Sequence, residues 1–139
     1  MITAPVGLLD TSTLILLGEL DEHAPLPAIP RISTITLAEL SVGPLTALDA
    51  KERSARQIQL QEAEASFDPI PFDRAAARAF GQVSASLRRA GRKTSARTSD
   101  AMIAAIAISR GLPLFTCNAA DFVGIDGLEV VAVPNPRVT

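Results

Sequence analysis

Four carboxylates stand where short apolar runs break off. Asp10 closes Val6-Gly7-Leu8-Leu9, and Glu39 follows the run Ile32–Ile35. Asp100 opens the uncharged run Ala101–Ile108, and Asp121 follows Leu112-Pro113-Leu114-Phe115-Thr116. In an open parallel sheet, ligands bind outside the carboxyl ends of the strands. Three of these acids follow a strand directly, and the helix opened by Asp100 runs back across the sheet from the same edge. Carboxylates gathered at one spot repel each other unless a cation neutralises them. An all-oxygen donor set without His or Cys suits Mg²⁺ or Mn²⁺ rather than zinc. Asp10, Asp100 and Asp121 are therefore expected as metal ligands, directly or through water. Glu39 is expected as a further ligand or as the base that orients a water.

Each acid also has a purely local explanation. Asp10 caps a short helix, and Glu39 completes a capping box begun by Thr36. Asp100 is a first-turn charge behind an N-cap at Thr98 or Ser99, and Asp121 partners a cap at Asn118. All four at one sheet edge, with no acids in equivalent places elsewhere, favour a shared site. Close by in sequence, Arg88, Arg89, Arg92, Lys93 and Arg97 place five of the 13 basic residues within ten positions. That cluster either complements the end of its helix or contacts phosphate. Because it runs straight into Asp100, phosphate contact by Arg92, Lys93 and Arg97 is expected. His23 lies in a polar, proline-bounded loop and reads as a surface residue. Cys117 stands in no metal or nucleophile motif and reads as a buried thiol.

The elements that must position these groups alternate between strand and helix. Val6–Leu9 reads as a buried strand, Leu14–Leu17 as a short helix closed by Gly18, and Ile32–Ile35 as a second strand. Prolines 25, 27 and 30 exclude regular structure between them. Leu45–Ser66 is charged and Gln-rich and predicts an exposed amphipathic helix. Pro69–Phe72 is an edge strand at best. Asp73–Ala90 predicts a helix stopped by Gly91. The run after Asp100 predicts a helix that is apolar all round, hence buried, and ends at Gly111. Leu112–Thr116 and Leu128–Val133 complete the strands. The order predicts one α/β domain over residues 1–139, with a mainly parallel central sheet flanked by helices.

Composition narrows the classes. The 139 residues carry a net charge of −2, which excludes a generally basic nucleic-acid coat. With no Trp, no Tyr and five Phe, a base-stacking platform is not expected. Hydrophobic residues make up 47% and mean hydropathy is +0.27, a surplus that a partner or second copy would cover. No apolar run approaches the roughly 20 residues of a membrane span, and no leader pattern precedes Asp10. One cysteine excludes an internal disulfide. The expectation is a soluble, cytoplasmic protein.

Four stretches resemble, in order and spacing, the motifs of the PIN domain family, and in particular its VapC-type ribonuclease toxins. They are Leu8-Leu9-Asp10-Thr11-Ser12, Thr34-Ile35-Thr36-Leu37-Ala38-Glu39-Leu40, Ser99-Asp100-Ala101-Met102-Ile103-Ala104-Ala105 and Thr116-Cys117-Asn118-Ala119-Ala120-Asp121-Phe122. The resemblance implies that Asp10, Glu39, Asp100 and Asp121 form an acidic quartet, with Thr116 as a polar neighbour. It implies a Mg²⁺- or Mn²⁺-dependent endoribonuclease of a toxin–antitoxin pair. It further implies a cognate antitoxin covering the apolar surface near Leu14–Leu20 and Leu40–Leu48, and homodimerisation.

Two rivals stand beside this reading. A receiver-like signalling module requires a paired acid after its first strand and a late Lys. Here Thr11-Ser12 follow Asp10, and the only lysines are Lys51 and Lys93. A catalytically silent PIN-fold scaffold would have no need of four intact acids.

Overall fold

The computed structural model describes residues 4–93 and 97–138. Four short strands, β1 (Val6–Leu9), β2 (Ile29–Arg31), β3 (Leu114–Thr116) and β4 (Val130–Ala132), form one parallel sheet in the order β2-β1-β3-β4. Among the described residues five α-helices connect or cover them: α1 (Thr11–Leu16), α2 (Thr34–Val42), α3 (Ala50–Ser66), α4 (Arg74–Arg89) and α5 (Thr98–Arg110). The α/β expectation with a parallel sheet holds.

Period-two alternation divides the core. Leu8 and Leu114 point to one face with Ile103, Ile106, Val83 and Leu87 of α5 and α4. Leu9 and Phe115 point to the other, with Ile32, Leu40 and Ala63. Helix α5 is buried along Ala101 and Ile103–Ala107, as its all-round apolar character requires, and ends at Gly111 with φ +64°. Gly7 is dictated by a neighbour: a Cβ there would lie 2.3 Å from the Phe115 ring. That ring fills the space over β1.

The structure corrects several boundaries. The second strand is Ile29–Arg31, inside the proline zone, rather than Ile32–Ile35. Pro30 is tolerated because β2 lies at the sheet edge, where a missing donor costs no ladder bond. Ser33 then caps α2, its Oγ accepting from Thr36 N at 3.2 Å, so the helix begins before Thr36. Helix α3 begins only at Ala50, behind the Asp49 cap, because Pro44 sits in a separate 3₁₀ turn, Gly43–Thr46. Ile70 makes an isolated parallel bridge to Ser33, in keeping with an edge position at best. Helix α4 starts behind Asp73, which accepts from Ala76 N at 3.0 Å. Among the described residues no helix is long and apolar enough to cross a membrane.

Candidate active site

The chain leaves β1 toward β2 on one side and reaches β3 on the other, so the strand order reverses between β1 and β3. A crevice at the carboxyl ends of the strands follows from that reversal. Asp10 and Thr116 are the residues at its two walls.

Asp10 is 4% exposed and caps α1. Its Oδ1 accepts from Thr13 N at 3.1 Å, which starts α1, and from Thr13 Oγ1 at 2.5 Å. Its Oδ2 accepts from Thr116 Oγ1 at 2.7 Å across the strand reversal. Ser12 Oγ lies 3.3 and 3.4 Å from the two oxygens. The threonines are held from behind: Cys117 N donates to Thr13 Oγ1 and Asn118 N to Thr116 Oγ1, each at 2.9 Å. Asn118 Nδ2 donates to Ser12 Oγ at 3.0 Å, and Asn118 makes no side-chain cap.

Glu39 is not part of a capping box. With the cap at Ser33, Glu39 falls in the second turn of α2, beyond reach of the end N–H groups. Its Oε1 instead accepts from Thr11 Oγ1 at 2.6 Å. Asp100 lies in the first turn of α5, but the cap position is Arg97, with no side-chain cap there, rather than Thr98 or Ser99.

Burial, then the negative charges of Asp121, Asp10 and Glu39, push the Asp100 carboxyl up to about 6; Arg97 acts in the opposite direction. Asp100 thus feels all three other acids, so the four share one electrostatic neighbourhood. Asp121 sits in the 3₁₀ turn Ala119–Phe122. Its Oδ1 accepts from Arg97 Nη1 at 2.5 Å, and the same nitrogen lies 3.9 Å from Asp100 Oδ2.

The basic residues divide. Arg92 Nη1 donates to the Ala120 and Val123 carbonyls at 3.1 and 2.7 Å and so ties its loop to the turn that carries Asp121. Lys93 is exposed. Arg92, Lys93 and Arg97 nevertheless line one cavity of about 150 Å³ together with Asp100 and Asp121. His23 is exposed, as expected, beside Glu22 at 3.4 Å. Cys117 is only partly buried, and burial pushes its thiol up.

The hydroxyls of Thr11, Ser12, Thr13 and Thr36 escaped the sequence reading, as did the Asn118 amide as a strut. The available signal was hydroxyl density on both sides of Asp10 and one turn before Glu39. The donor set is all oxygen, and its crowded negative charge fits a hard divalent cation. Among the described residues no three or more acid, imidazole or thiol side chains are arranged so that they could hold a metal ion. Arg97 is the positive charge between Asp100 and Asp121.

A parallel α/β sheet with an acidic crevice at its strand reversal defines a class, and comparison identifies it. The PIN domain profile matches residues 8–128. Ribonuclease VapC5 of Mycobacterium tuberculosis (strain ATCC 25618 / H37Rv) is 38% identical over 133 residues, 94% of this chain and 96% of that protein. The tRNA(fMet)-specific endonuclease VapC of Shigella flexneri is 37% identical over 99 residues, 70% of each chain. Among solved structures, VapBC-5 from Mycobacterium tuberculosis, a member of the VapBC family of toxin-antitoxin systems, superposes with a TM-score of 0.79. It is 36% identical, over 93% of this chain and 99% of that one. The chain belongs to the PIN domain family. That membership leaves the receiver-like alternative without support.

Proposed function

We propose that this chain is the endoribonuclease toxin of a toxin–antitoxin pair and cleaves RNA phosphodiester bonds with Mg²⁺ or Mn²⁺. The observation that carries the reading is that Asp100 and Asp121 share one Arg97 nitrogen beside the strand ends, where the charges of Asp121, Asp10 and Glu39 act on Asp100. Asp10, Asp100 and Asp121 would hold the ion, with Glu39 as a further ligand or as the base that orients the attacking water. A bound ion supplies Lewis acidity and charge neutralisation at the scissile phosphate. Asp10 is preset for this: three hydroxyls and one N–H fix both of its oxygens. Lys93 and Arg97 stand beside the acids in the same cavity and suit phosphate contact. Arg92 does so only with the part of its guanidinium not engaged by carbonyls.

The proposed partner is an antitoxin lying on the surface around α1, α2 and the start of α3. Large apolar side chains stand exposed there, namely Ile15, Val42, Leu45, Leu48 and Ile58, with Leu45 and Leu48 at 86% and 92%. A groove between α1 and α3, lined by Leu14, Ile15, Leu17, Ala63 and Phe67, adds to that surface. The related VapBC and ribonuclease VapC proteins motivate the pairing. The reading includes one domain over residues 1–139, a homodimer and a cytoplasmic location.

The test is incubation of purified protein with total cellular RNA, in Mg²⁺ or in EDTA, followed by sequencing of new ends. Discrete new ends only with Mg²⁺ are expected. Cleavage undiminished after exhaustive chelation would reject metal dependence, and no cleavage with either Mg²⁺ or Mn²⁺ would reject the nuclease.

A further inference from the structure

We infer that Thr11 and Thr36 are positioning residues for Glu39, acting as a directed pair of hydroxyls that fixes one oxygen of its carboxylate. The inference rests on the ribonuclease reading.

Direction follows from counting protons. A hydroxyl has one proton, and an ionised carboxylate only accepts. Thr11 Oγ1 lies 2.6 Å from Glu39 Oε1, so the Thr11 proton is committed to Glu39. Thr36 Oγ1 lies 2.9 Å from Thr11 Oγ1, and the proton between them must then come from Thr36. The chain of donation is Thr36 to Thr11 to Glu39. Thr36 is fully buried, one turn before Glu39 on α2, so its hydroxyl cannot turn to solvent. Thr11 is the first residue of α1, directly after Asp10. One turn of α1 thus ties the acid of β1 to the acid of α2.

The arrangement repeats around Asp10. Thr13 donates to Asp10 and accepts from Cys117 N, and Thr116 donates to Asp10 and accepts from Asn118 N. In all three cases a threonine proton is aimed at an acid while a second donor occupies the back of its oxygen. A merely structural link between α1 and α2 would not need the outer hydroxyl to end on a carboxylate. The consequence for Glu39 is asymmetry. Oε1 is held, while Oε2 takes no hydrogen bond from the described residues.

The experiment measures initial rates at which the discrete new ends appear in labelled RNA, resolved by gel, with unfolding temperatures recorded in parallel. Thr11→Val should lower kcat by about 10- to 100-fold, the usual effect of losing a residue that orients a ligand, with KM within about twofold. Thr11→Ser should restore the rate, and Thr36→Val should give a smaller loss. In a Glu39→Ala background, Thr11→Val should have no further effect on kcat, because the carboxylate it fixes is gone. Wild-type kcat in Thr11→Val, or the same loss in both backgrounds, would overturn the inference and leave Thr11 a purely structural link. Inactive wild-type protein would instead overturn the ribonuclease reading. Should Thr11→Val fail to fold, Thr36→Val decides by the same cycle.

Discussion

Replacing Asp100 by Asn should stabilise the metal-free protein at neutral pH, although it removes a charge from the favourable end of a helix. The Asp100 carboxyl rises from an ordinary 3.8 to about 6. At 1.36 kcal/mol per pK unit this is about 3 kcal/mol between the two protonation states. The side chain is 29% exposed, so solvent screening reduces the usable figure to about 1.5 kcal/mol. Loss of the first-turn charge subtracts about 0.3–1 kcal/mol. The net gain is about 0.5–1 kcal/mol, or about 2–5 °C in Tm for a domain of this size. The sign depends on pH. Between 3.8 and about 6 the folded state binds more protons than the unfolded one, so wild-type stability falls as pH rises through that window. Below it both states are protonated and the advantage of Asn disappears. Thermal unfolding in EDTA at pH 4 and pH 7.5 reads this directly. Added Mg²⁺ should then raise the wild-type Tm and leave Asp100→Asn nearly unchanged. A variant no more stable than wild type at pH 7.5, or equally stabilised at pH 4, would refute the crowding argument.

Two further outcomes follow from the basic wall of the cavity. Arg97→Gln removes the guanidinium that sits on Asp121 and Asp100. Calorimetry with Mn²⁺ at pH 8, where Asp100 is ionised, should therefore show binding about two- to fivefold tighter, the equivalent of about 0.5–1 kcal/mol for a partly exposed pair. Unchanged or weaker Mn²⁺ binding would show that Arg97 does not compete for the acids. Lys93→Ala should reduce the slope of log affinity against log salt by about 1, read by fluorescence anisotropy of a labelled mixed-sequence oligoribonucleotide in EDTA. An identical slope would remove Lys93 from the phosphate contact.

Much of this architecture is local and therefore legible in the chain. Helix α5 is readable because Ala101–Ile108 contains no charge, which places it inside. Helix α4 is readable because Asp73 and Gly91 bracket one apolar stripe. Asp10 and Asp100 are readable because each ends or opens an apolar run at a helix start. The remainder depends on which strands are neighbours. Ser33, not Thr36, caps α2, and Pro30 lies within a strand because β2 is an edge; neither fact is contained in a short window. Capping and a shared acidic site read as rivals along the chain, yet Asp10 caps α1 and also accepts from Thr116, 106 residues away. Arg92 and Arg97 are equivalent members of one basic run, but one ends on carbonyls and the other on Asp121. The Thr36–Thr11–Glu39 chain spans 25 and 28 residues and exists only because α1 and α2 meet at the sheet edge. Periodicity and capping report what a residue wants within a turn or two. The partner that satisfies a buried hydroxyl or carboxylate is selected by strand order, and only the folded chain decides that.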